Sequence, residues 1–95
     1  MAAYLIVSIE VEDPAAFERY RSEVPALIRK HGGKYVVRGG NLEVLEGDWR
    51  PPRLVLLQFP GLDAAKAFLN DPEYQPLKAL RQRAAKTDMV LVEGV

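Results

Sequence analysis

His31-Gly32-Gly33-Lys34-Tyr35-Val36-Val37-Arg38-Gly39-Gly40-Asn41-Leu42-Glu43-Val44-Leu45-Glu46-Gly47 is the stretch on which the fold turns. A helix ends at its start, with cations near the negative end of the dipole and a glycine free to take the left-handed C′ conformation. Two strand-like runs follow, Lys34–Arg38 and Leu42–Glu46. The glycine pair between them reads either as a two-residue hairpin turn or as a bend in one long strand. The bend is preferred. A right-handed crossover would make this strand parallel to the first, leaving it free to form a hairpin with Arg53–Phe59 across Asp48–Pro52. The order that results is β-α-β-β-α-β.

Upstream, Tyr4–Val11 alternates as a strand, with Leu5, Val7, Ile9 and Val11 on an aliphatic face. Asp13-Pro14 supplies a cap and a first helical residue. Phe17, Tyr20, Val24, Leu27 and Ile28 recur at helical spacing, and Pro25 predicts a kink or break near Arg21. Downstream, Pro60-Gly61 stops the second hairpin strand, Asp63 caps a short helix, and Asp71-Pro72-Glu73 restarts a second helical piece. Met89–Glu93 is the last strand, with Val90 and Val92 expected in the core and Met89 and Leu91 on the opposite face.

That opposite face gathers Tyr4, Ile6, Leu54, Leu56, Met89 and Leu91, with Ser8 and Gln58 among them. So apolar a surface on a small domain calls for a cover, and a second copy of the chain is the economical one. A homodimer packed through its sheets would enclose Ser8 and Gln58, which must then find each other, water or a ligand.

Ninety-five residues make one domain, and basic and acidic residues balance at thirteen each. No global field therefore draws nucleic acid or an anionic membrane. The absence of cysteine excludes disulfides, zinc-thiolate sites and thiol nucleophiles, and suits a cytoplasmic address. No run approaches a membrane span or a signal peptide. One histidine, His31, excludes a multi-histidine metal site within the chain, and no cofactor or metal is expected.

Taken in order, Gly32–Gly40, Glu43–Gly47, Pro52–Pro60, Asp71–Gln75 and Leu91–Gly94 resemble the bacterial family called domain of unknown function 1330. The resemblance covers essentially the whole chain. It implies an α+β, ferredoxin-like subunit with an antiparallel sheet, forming a dimeric α+β barrel. It carries no established activity, although that superfamily includes cofactor-independent oxygenases, lactone isomerases and haem enzymes. Gln58 stands where the family frequently has an acid, and Phe68-Leu69 where Trp-Tyr is common.

Arg38, beside the glycine pair, is the leading anchor for a carboxylate or enolate, and Glu46 is the companion general base. The bland alternative pairs Arg38 with Glu43 or Glu46 as a surface ion pair. Tyr20 and Tyr74 fall on inward helix stripes, and their hydroxyls would complete an oxyanion-binding cluster if they converged with Arg38. Trp49 would cover a pocket or anchor a partner subunit. Tyr74, Leu77, Leu80, Arg81 and Ala84 share the inner side of the last helical piece, while Lys78, Arg81, Arg83 and Lys86, the only basic concentration, read as a solvated surface. The functional expectation is a cofactor-independent enzyme, of oxygenase or isomerase type, acting on a small anionic or enolisable molecule. The alternatives are a binding dimer without turnover and a structural dimer with a self-filled pocket. Arg38 and Glu46 are expected to line one cavity.

Overall fold

The computed structural model describes residues 1–95. Its elements are β1 (Ala3–Val11), α1 (Pro14–Lys30), β2 (Lys34–Arg38), β3 (Leu54–Phe59), α2 (Leu62–Asn70), α3 (Tyr74–Ala84) and β4 (Ala85–Glu93). The four strands form one antiparallel sheet in the order β2-β3-β1-β4. This is the α+β, ferredoxin-like arrangement, with the second helix split in two at Asp71. All helices lie on one side. The core between the layers holds Leu5, Val7, Val55, Leu57, Phe59 and Phe68, each at most 8% exposed. No helix is long and apolar enough to cross a membrane.

The cap reading holds at both ends of α1. Asp13 accepts a hydrogen bond from the Ala16 N–H at 3.2 Å, and Pro14 is the first helical residue. At the other end, the N–H groups of Gly32 and Gly33 donate to the carbonyls of Arg29 and Ile28 at 3.0 and 2.8 Å, with Gly32 at φ +77°. This double closure is the Schellman motif. Pro25 does not break the helix, which runs unbroken through it from Pro14 to Lys30. Val24, Leu27 and Ile28 flank it in the core and hold it there by tertiary packing.

Three expectations are corrected. Leu42–Glu46 is not a strand, because β2 ends at Arg38 and residues 39–53 form an irregular connection to β3. The glycine pair is thus neither a bend in a continuing strand nor a hairpin turn. The irregularity of the strand lies earlier, where Tyr35 pairs with Leu57 and Val37 with Leu56, leaving Val36 as a bulge. Asp63 falls in the first turn of α2 rather than at its cap, which is Gly61. In β4 the faces are exchanged: Leu5 opposes Leu91 and Val7 opposes Met89, so these pack against the core, whereas Val90 and Val92 are 59% and 46% exposed. The cause is the junction with α3. Ala84 passes straight into the strand at Ala85, both are buried, and the alternation starting there puts Met89 and Leu91 inside.

Candidate functional site

Between the helices and the sheet lies a cavity of about 50 Å³. Val7, Ile9, Val55 and Leu57 form its floor, and Phe17, Val24 and Ile28 of α1 its wall. Met89, Tyr20, Tyr35 and four arginines, Arg21, Arg38, Arg53 and Arg81, complete the lining. No carboxylate and no histidine takes part. Arg21 is neutralised by Glu18 at 2.8 Å. The ion pairs of the chain leave Arg38, Arg53 and Arg81 without an acid. The expected Arg38 pairing with Glu43 or Glu46 is therefore not formed.

The bulge at Val36 directs Arg38 to this cavity. In a regular strand Tyr35 and Arg38 would face opposite sides; the extra residue brings both to the inner side, opposite Leu57 and Val55. The Arg38 guanidinium then sits 4.2 Å from the centre of the Tyr35 ring. Arg53 reaches in from the start of β3. A Cβ on Gly39, whose φ is +69°, would come within 2.7 Å of the Arg53 guanidinium, so this glycine leaves the room that the arginine fills. The Arg53 Nε is buried without a hydrogen-bond partner.

Arg81 is placed as its helical spacing predicts. It belongs to the inward stripe Tyr74, Leu77, Arg81 and Ala84 of α3, is 6% exposed, and its Nε has no hydrogen-bond partner. The inner-side placement holds, and the reading of Arg81 as part of a solvated basic surface is corrected. The available signal was helical spacing: one charged residue on an otherwise apolar stripe.

Tyr20 and Tyr74 meet as expected, hydroxyl to hydroxyl at 3.0 Å. Tyr20 lines the cavity, while Tyr74, fully buried beneath it, does not. Burial first, and the neighbouring Tyr74 second, push the Tyr20 hydroxyl above its usual acidity range, against the opposing pull of Arg81. It therefore stays protonated. Tyr35 is shifted upward by burial too, with Arg38 the leading opposing charge. The cavity offers cations and hydroxyl donors but no base.

The remaining candidates lie elsewhere. Glu46 and Trp49 sit on the 39–53 connection and line a separate, open depression with Leu45, Pro51 and Leu54; Trp49 is 63% exposed. Arg38 and Glu46 do not share a cavity within one chain. Ser8, opposite Leu54 and Asp88, and Gln58, opposite Tyr4, lie on the outer sheet face. His31 joins Lys30 at Asp71, whose Oδ2 is 2.8 and 2.9 Å from His31 Nε2 and Lys30 Nζ.

The fold and this cavity define a small ferredoxin-like domain with an arginine-ringed apolar pocket. The chain belongs to the family described as domain of unknown function 1330, whose model matches residues 2–95. A search of curated proteins finds no match. Among solved structures it is similar to a protein of unknown function from Rhodopseudomonas palustris, with TM-score 0.80, 18% identity, and coverage of 99% of this chain and 82% of that one. It is also similar to SnoaB, a cofactor-independent oxygenase from Streptomyces nogalater, at TM-score 0.67 and 16% identity over 99% and 93% of the two chains. A dimeric ferredoxin-like protein of unknown function from Jannaschia sp. CCS1 matches at TM-score 0.65 and 17% identity over 99% and 100%.

Proposed function

We propose that the protein binds a small anionic or enolisable molecule in the cavity between helices and sheet, and acts on it as a cofactor-independent enzyme. The carrying observation is an apolar pocket ringed by Arg38, Arg53 and Arg81 with no acid to neutralise them. Guanidiniums in such surroundings favour negative charge on a substrate oxygen, and so ease the ionisation of an enol. Tyr20, held protonated, adds a donor. An isomerase must carry a proton between carbons and needs a base, which this lining lacks. Oxygenation suits it better for a substrate acidic enough to give its enol proton to water: the enolate of a methylene compound supplies the electrons to dioxygen, the methylene carbon becomes a carbonyl, and, counting that proton, its two hydrogens end with the second oxygen atom as water. The likeness to SnoaB supports that class through fold alone.

The lack of a base also favours a second reading, a binding protein without turnover. Oxygen-electrode measurements on any compound that binds separate the two. The first test is a thermal-shift panel of small carboxylates and 1,3-dicarbonyls against the wild type and Arg38→Ala. Stabilisation by anionic members that falls about tenfold in apparent affinity in the variant supports the reading; equal shifts in both proteins discard Arg38.

The working unit in this proposal is a homodimer. The outer sheet face presents Ile6, Leu54 and Leu56 with the exposed Val90 and Val92, and the similar protein from Jannaschia is described as dimeric. Ser8 and Gln58 are then interface groups rather than ligand contacts, and Trp49 an anchor. A light-scattering mass of one chain would overturn this part.

A further inference from the structure

We infer that the cavity holds a second anion subsite at Arg81, so that its ligand is a short-chain dianion, such as a dicarboxylate or an oxo- or enol-carboxylate, rather than a monoanion. This rests on the pocket reading above and specifies its substrate class. The three unpaired arginines approach from two walls. Arg38 and Arg53 come from the sheet, at the end of β2 and the start of β3, with Arg53 packed against Gly39. Arg81 comes from α3, beside the Tyr20 ring at 6.0 Å from its centre. One carboxylate on the sheet wall leaves Arg81 as it is now: 6% exposed, with a buried Nε that has no partner.

Acids are near Arg81 but do not neutralise it. Glu12 and Asp88 share with it a separate surface depression, and neither forms an ion pair with it; Glu12 faces Lys86 at 4.0 Å. A guanidinium removed from water without a counter-charge is unfavourable, and an anion entering from the cavity relieves it. The volume limits the rest of the ligand. About 50 Å³ leaves room for only a short carbon skeleton between the two anionic ends.

Calorimetric titration of the full chain with succinate and with butyrate, its singly charged counterpart, tests this at fixed ionic strength. Succinate should bind at least about tenfold more tightly than butyrate. Arg81→Met should remove that advantage by weakening succinate about tenfold more than butyrate, whereas Arg38→Ala weakens both alike. Equal affinities in the wild type, or an Arg81→Met variant that weakens both ligands alike, overturn the second subsite while the pocket reading stands. If neither anion binds, both readings fall. Should Arg81→Met fail to fold, the wild-type ratio of succinate to butyrate decides.

Discussion

Two groups of charge, each built round one buried member, Asp71 in the first and Arg81 in the second, are treated in opposite ways. At the joint between α2 and α3, the Asp71 carboxylate meets Lys30 and His31 at Oδ2 and the Glu73 N–H at Oδ1, all within 2.9 Å. Hydrogen bonds from His31 first, then Lys30 and Glu73, hold its carboxyl well below the usual carboxylate range. Across the core, Arg38, Arg53 and Arg81 surround a cavity with no acid among them. A charge whose partners are all present is architecture, since it locks the end of α1 to the turn before α3. Charges left without partners beside empty space are the ones the proposed ligand would answer.

The contrast can be broken at its support, at its acid or at its unpaired cation. Phe68 packs 4.5 Å from Tyr74, 5.5 Å from Phe59 and 6.3 Å from His31, centre to centre, and is 1% exposed. Phe68→Ala should cost about 3–5 kcal/mol in urea unfolding, the largest loss of these variants. Asp71→Asn should lower the Tm at neutral pH by less. Because the folded carboxyl is more acidic than the unfolded one, its contribution is present above about pH 4 and is lost as pH falls toward its folded value. The wild type should therefore lose stability more steeply than the variant on acidification below about pH 4; parallel thermal-denaturation curves would make Asp71 a bystander. Arg81→Met should have the smallest effect and the opposite sign, leaving ligand-free stability unchanged or raised by about 1 kcal/mol. A clear loss in urea unfolding would move Arg81 to the architectural group.

Much of the fold was legible because it rests on local rules. The Asp13-Pro14 cap, the Gly32-Gly33 stop, the alternation of β1 and the divided second helix each follow from a few neighbouring residues. The two faces of β4 were not legible, because Met89, Val90, Leu91 and Val92 are all apolar and alternation carries no information there. Leu42–Glu46 has strand composition but no strand beside it within the chain. Arg38 was singled out for its neighbouring glycines, yet its aim depends on a bulge at Val36 that no residue type announces. Arg53 and Arg81 join it only because a strand start and the inner stripe of α3 converge on one space.

Element order, caps and the apolar stripes that build the core were thus set by the chain itself, since helix ends and amphipathic faces are decided over a few residues. Which arginines share a cavity, and that no acid joins them, was settled only in three dimensions. Charge pairing depends on distances between residues far apart in sequence, and those are fixed by register, by a single bulge and by how α3 runs into β4.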